Sequence, residues 1–207
     1  MLDITHSITE LQQRFDPDPR HSAQVARLSL QLFDELQALH ELGSPARKLL
    51  QAAAALHDIG YHLNNGLGHH KNTLNMILQY GLPPLSYAEV KLTANIARYH
   101  RKSLPSLSHE HYRQLSENER QIVDKLSSLL RIADGMDHSH RSAVYSIHSQ
   151  IKPGRVELTL KHFGELQDEL STAAKKADLF RRTFSYDIIF IPYPIFKKPV
   201  SNNEGLL

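Results

Sequence analysis

The side chains in this sequence most able to do chemistry are histidines and carboxylates, and they recur at helical spacing. Fourteen histidines stand in a chain with no cysteine. Seven of them (His57, His62, His69, His70, His100, His109 and His111) fall within 55 residues. The lack of cysteine excludes thiolate nucleophiles, disulfides, iron–sulfur clusters and Cys-based zinc sites, so any metal must rest on imidazole and carboxylate. The sharpest local string is Ala55-Leu56-His57-Asp58-Ile59-Gly60. Neighbours on a helix point about 100° apart, so His57 and Asp58 serve one ligand only at a helix end facing a polar cavity; the bland alternative is capping chemistry. His21 and Asp134 change that balance. Asp134 falls in line with Val123 and Leu130 on an inner helical face, where an uncompensated carboxylate is costly and calls for a cation or strong donors. His21 taken alone reads first as a hydrogen-bonded core histidine. Together, His21, His57, Asp58 and Asp134 would supply four ligands to one ion. Neutral imidazole with carboxylate suits Mn, Fe, Ni, Co or Zn, with Mg admissible, and a carboxylate can bridge two ions through its two oxygens.

Helices must deliver these groups, because from residue 4 to about residue 140 the apolar period is helical. Between Pro19 and about Leu42 a stripe of Val25, Leu28, Leu32, Leu36 and Leu39 forms, and His21 lies on it one turn before Val25. A second helix with Ser44 as N-cap, Pro45 at its first position and Gly60 as its stop carries His57-Asp58 in its last turn. A third runs from Gly68 or His69 to Tyr80, ended by Gly81 and Pro83-Pro84, with His70, Leu74, Ile77 and Leu78 on its inner face. Ser86…Glu89 and Ser116…Glu119 read as capping boxes opening helices that end near His100 and Asp134. Arg101 to Leu115 reads as a loop with a short helical turn. After Ser142 the period changes to two, with a hairpin turn at Lys152-Pro153-Gly154-Arg155, then a helix from Glu165 to Phe184 and a short strand from Tyr186 to Ile191. The expected architecture is mainly α: a helical bundle over residues 1–142, a small ββαβ unit over 143–196 packed on it, and a disordered tail over 197–207.

The pattern His21 … His57-Asp58 … Asp134 resembles the HD-domain superfamily of metal-dependent phosphohydrolases. A narrower likeness lies in His57-Asp58-Ile59-Gly60-Tyr61-His62, Gly68-His69-His70-Lys71, Arg98-Tyr99-His100-Arg101 and Ala133-Asp134-Gly135-Met136-Asp137. These strings resemble the C-terminal HD-type region of the exopolyphosphatase / guanosine pentaphosphate phosphatase (Ppx/GppA) family, without its actin-like catalytic half. In the dinuclear branch typified by HD-GYP phosphodiesterases, further histidines hold a second metal; by position His70 and His100 resemble those ligands, although the HD-GYP signature itself is absent. The resemblance therefore implies six metal ligands, His21, His57, Asp58, His70, His100 and Asp134, with Asp58 bridging one or two divalent ions. Such a pair activates a water for in-line attack on phosphorus, and Asp58 is the catalytic candidate. His69, adjacent to His70 and on another face, is read as a phosphate donor or surface residue. Lys71, Arg98, Arg101 and Lys102 are further phosphate-binding candidates. Asp137, His138 and His140 either support the ligands from behind or merely cap the helix.

The implied function is hydrolysis of a phosphoanhydride or phosphodiester in a nucleotide or polyphosphate-like substrate. A regulatory module binding metal and a phosphorylated ligand without turnover is the alternative, and a metal-free helical interaction protein a third. Charge separates partner classes: 24 Lys+Arg against 22 Asp+Glu leaves a net +2, too weak a field to predict a nucleic-acid duplex or an anionic membrane as partner. With no signal-peptide pattern and no apolar run of membrane-spanning length, a cytoplasmic location is expected. Apolar residues from Ile188 to Ile195 would offer a homodimer surface, packing of the sheet against the helical body being the simpler account.

Overall fold

The computed structural model describes residues 4–196; the expected tail, 197–207, lies outside them. The chain is mostly helical and closes with a three-stranded sheet. Helices α1 (Ile4–Phe15), α2 (Pro19–Glu35), the single turn α3 (Gln37–His40) and α4 (Ser44–Ala55) lead into a 3-10 helix, Ile59–Gly66. Then come α5 (His69–Tyr80), α6 (Tyr87–Arg98), the single turn α7 (Glu110–Arg113) and α8 (Glu117–Gly135). The C-terminal part is β1 (Val144–Lys152), β2 (Arg155–His162), α9 (Gln167–Lys176), α10 (Asp178–Phe184) and β3 (Asp187–Pro194).

The apolar stripe read from the sequence is the seam of the bundle. Val25, Leu28, Leu32 and Leu36 are fully buried, as are Leu50, Leu56, Ile77, Ile96, Leu126 and Leu130 from the helices around them. Helix α2 packs on α4 and α8, and α6 packs on α4, α5 and α8. Each buried Leu or Ile contributes about 1.5–3 kcal/mol relative to exposure, which fixes the helix ends relative to one another. Both capping boxes form, Ser86 with Glu89 and Ser116 with Glu119. Two ends differ from expectation. Helix α4 is capped by Gly43, and Ser44 makes no side-chain cap bond. It also stops at Ala55, so His57-Asp58 sits in the turn that follows and Gly60 lies inside the 3-10 helix.

In the sheet, β1 pairs antiparallel with β2, and β2 pairs parallel with β3 in the order β1-β2-β3. The hairpin turn falls at the predicted Pro153-Gly154, where Gly154 takes φ +73°. The helix expected over 165–184 is divided at Ala177 into α9 and α10. Val156, Leu158 and Leu160 point inward, α9 and α10 lie against α8, and β1 lies against α2.

Candidate metal centre

Five helix ends meet at one cleft. His21 is in the first turn of α2, whose cap is Asp18, its carboxylate accepting from the His21 backbone N–H at 3.1 Å. His57 and Asp58 occupy the turn after α4, His69 is the first residue of α5, and His100 lies just beyond α6. Asp134 ends α8, with Asp137 one turn on. His21, His57, His69 and His100 are each 3% exposed or less.

The hydrogen bonds of the rings fix what the other nitrogen can do. Nδ1 of His57 lies 2.8 Å from the Ala54 carbonyl, Nδ1 of His69 3.0 Å from Gly66 and Nδ1 of His100 2.8 Å from Ala97. A carbonyl only accepts, so each Nδ1 carries the hydrogen and, in the neutral ring, each Nε2 presents a lone pair. Those lone pairs converge. His69 Nε2 and His100 Nε2 are 3.2 Å apart, and Asp58 Oδ1 lies 3.2 Å from the first and 3.4 Å from the second. Asp58 Oδ2 faces His57 Nε2 at 3.6 Å. His21 Nε2 is 3.5 Å from Asp134 Oδ1, while its Nδ1 donates to Asp137 Oδ2 at 2.9 Å. Asp137 also accepts from the Ser142 backbone N–H, so it orients His21 from behind.

The donors form two sets, His21 with His57 and Asp134, and Asp58 with His69 and His100; within each set the candidate atoms lie within 4.8 Å of one another. Asp58 turns one oxygen to each. Facing lone pairs at such distances repel unless a cation stands among them. His57 Nε2 and Asp58 Oδ1 are buried with no hydrogen-bond partner among the described residues, a costly state for a ring nitrogen and a carboxylate. The residues present thus fit a metal ion.

Electrostatics point the same way. Burial would raise the Asp58 carboxyl, but His57, His69 and His100 hold it well below the ordinary carboxylate range. Burial likewise opposes ionisation of Asp134, and Lys176 and His21 more than offset it. Burial pushes His100 well below the usual imidazole value, keeping it neutral. His21 is the exception: despite the same penalty, its bonds to Asp134 and Asp137 raise it to about 10, so an ion taking its Nε2 would displace a proton.

Five of the six expected ligands, His21, His57, Asp58, His100 and Asp134, come together; His70 does not, and His69 stands in its place. The reason is register. Thr73, one turn after His69, is buried, donating to the His57 carbonyl at 2.9 Å and accepting from Gly60 N–H at 3.1 Å. That contact points the His69 edge of α5 at the cluster and turns His70 about 100° away. There, half-buried beside His69, Arg98 and Arg101, His70 is lowered to about 4, chiefly by burial.

Of the expected phosphate-binding residues, Arg101 and Lys102 line the cleft, whose volume is about 560 Å³, as His69 does. Lys71 and Arg98 are not among its lining residues, and the Arg98 guanidinium lies over the Tyr99 ring. Lys176 of α9, unremarked in the sequence, enters the cleft and pairs with Asp134. His140 stacks on His21 at 3.8 Å and bonds Asp18 at 2.8 Å. Only the i, i+3 spacing of Asp137 from Asp134 was a usable sequence signal.

Residues 5–176 match the family of the Ppx/GppA phosphatase, domain III. Over 178 residues the chain is 26% identical to the guanosine-5'-triphosphate,3'-diphosphate pyrophosphatase of Photobacterium profundum, covering 86% of this chain and 35% of that protein. Over 139 residues it is 29% identical to the protein of the same name from Vibrio vulnificus, covering 67% and 27%. The chain thus spans about a third or less of the length of the curated relatives it matches. Because the family match takes in helices α1 to α9 and every donor of the cleft, the chain belongs to the Ppx/GppA phosphatase domain III family.

Proposed function

We propose that this chain is an HD-type, metal-dependent phosphohydrolase that cleaves a phosphoanhydride or phosphodiester bond in a nucleotide or polyphosphate-like substrate. The observation that carries the reading is the pair of buried, unpartnered lone pairs, His57 Nε2 and Asp58 Oδ1, among converging imidazoles. His21, His57 and Asp134 would hold one ion, Asp58, His69 and His100 a second, and Asp58 would contribute an oxygen to each. The nitrogen and oxygen donors suit Mn, Fe, Ni, Co or Zn, with Mg admissible. Divalent ions held there supply Lewis acidity, neutralising charge on phosphoryl oxygens and making water a nucleophile at neutral pH. Asp137 keeps the His21 ring in its tautomer, and the carbonyls of Ala54, Gly66 and Ala97 do so for the other three rings. Arg101 and Lys102 at the cleft offer charge for further phosphates. Residues 1–142 would act as the helical HD body and 143–196 as a ββαβ unit completing it, in the cytoplasm. Among the described residues no helix is long and apolar enough to cross a membrane.

A second reading has its own support: the match covers 35% and 27% of relatives whose named activity belongs to the whole protein. On that reading the cleft binds metal and a phosphorylated ligand without turnover.

Two measurements decide. Metal analysis of the purified chain is expected to give one to two equivalents of divalent metal. Phosphate release from tripolyphosphate, nucleoside tri- and tetraphosphates and bis-p-nitrophenyl phosphate, with Mn, Ni or Mg added, is expected to fall by more than about 100-fold in Asp58→Ala and Asp134→Ala. Metal uptake and phosphate binding without release across the panel would favour the regulatory reading.

A further inference from the structure

Resting on the reading that the cluster holds metal, we propose that Lys176, delivered by the C-terminal unit, is a fixed cation of the cleft. It binds a phosphoryl oxygen of the substrate and weakens ion binding at the set of His21, His57 and Asp134.

Lys176 is the last residue of α9, and its ammonium pairs with Asp134 Oδ2, while Asp134 Oδ1 faces His21 Nε2 at 3.5 Å. One carboxylate is therefore divided between a lysine and the metal-binding set. A positive charge on one oxygen lowers the negative potential that an ion meets at the other. Neighbouring Asp137 offers no replacement, since its two oxygens are taken by His21 Nδ1 and the Ser142 backbone N–H.

The lysine is held in place from both sides. Ala173, one turn earlier on α9, presses on Gly135: a Cβ there would come within 2.7 Å of the Ala173 Cα. Two residues later Asp178 takes a bidentate bond from buried Arg131, at 2.9 and 3.0 Å from Nη2, and Arg131 also donates to the Tyr99 carbonyl at 3.1 Å. The junction of α9 and α10 is thus tied to α8 and to the segment bearing His100 and Arg101. The Lys176 side chain is 19% exposed and lines the same cleft as Arg101 and Thr172. A compact point charge lining the cleft beside the ligand sets suits a tetrahedral oxyanion.

The test uses the full chain, Zn²⁺ as metal and tripolyphosphate as oxyanion. In calorimetric titrations Lys176→Met is expected to bind one metal equivalent, that of the set His21, His57 and Asp134, about tenfold more tightly, and the metal-loaded variant to bind tripolyphosphate about tenfold more weakly. Lys176→Arg, which keeps the charge, should recover most of the tripolyphosphate affinity. Unchanged affinities for both ligands in Lys176→Met would overturn the proposal. A second measurement needs no neutral variant: in the ¹³Cε lysine NMR spectrum of the native chain, the Lys176 signal, identified by its loss in Lys176→Arg, should move when tripolyphosphate is added to the metal-loaded protein. A stationary signal overturns the proposal even if Lys176→Met fails to fold. No Zn²⁺ uptake by the native chain would overturn the metal reading itself; uptake with Lys176 inert removes only the role of the lysine.

Discussion

At the scale of single residues, the difference between His69 and His70 carries the clearest consequence. Both are histidines at the start of α5, yet His69 Nε2 lies 3.2 Å from Asp58 Oδ1 while His70 belongs to neither donor set. His69→Ala is expected to lose about one equivalent of metal and at least about 100-fold in phosphate release, and His70→Ala to keep both within about threefold. Metal analysis and the release assay on the two variants check this; the reverse ranking would return His70 to the ligand set. In the sequence, the signal for this register lies in Thr73. A polar residue four positions after His69 looks like an outward face until its hydroxyl is seen bridging the His57 carbonyl and the Gly60 N–H.

At the scale of elements, the position of α5 depends on the lack of a side chain at Gly60. A Cβ there would stand 2.4 Å from Thr73 N and 2.5 Å from the His69 carbonyl, both backbone atoms that cannot step aside. Gly60→Ala is expected to push the start of α5 away from the turn carrying His57 and Asp58, costing about 2–3 kcal/mol. It should weaken metal binding at the set of Asp58, His69 and His100 more than at the other. Urea denaturation and metal titration of the variant measure the two effects, and native stability with native binding would show that the approach is dispensable. A homodimer through the sheet edge meets a different obstacle. The N–H groups of Asp187 and Ile195 bond toward β2, so by alternation the even-numbered residues of β3 face the free edge. Pro192 and Pro194 fall there and remove two of its four donors, leaving those of Ile188 and Phe190. The exposed Ile189, Ile191 and Tyr193 remain an apolar face beside an edge that can pair only along its first half.

For the molecule as a whole, acid sensitivity follows from histidines buried in neutral form. His40 is fully buried, its Nε2 donating to the Phe33 carbonyl at 2.7 Å and its Nδ1 accepting from Leu42 N–H at 2.9 Å. Burial, helped by Lys125 and opposed by the Phe33 carbonyl and Asp34, lowers its pKa below 6.5. A lowered histidine leaves stability intact above the unfolded value. As pH falls through about 6.5 the unfolded chain takes up a proton that the fold refuses, and stability drops until the folded value is passed. His70, His100 and His109 shift in the same direction. The urea midpoint should therefore fall between pH 7.5 and pH 5, and His40→Gln should show a shallower decline. Parallel declines in the two chains would assign the sensitivity elsewhere.

The sequence by itself determined the helical bundle, both capping boxes and the hairpin with its turn, because helical period and capping chemistry are local; it singled out His21, His57, Asp58 and Asp134, which the fold divided between two donor sets. It also determined that any ion would meet nitrogen and oxygen donors, since no cysteine exists. Only the tertiary structure decided between His69 and His70, because one residue of register turns a helix face by about 100° and long-range packing on Gly60 sets that register. Only it could bring in Lys176, 42 residues from Asp134 on a helix beyond the hairpin, or assign Asp137 to the back of His21 across 116 residues. Contacts across such separations follow from how the elements pack, and no local spacing encodes them.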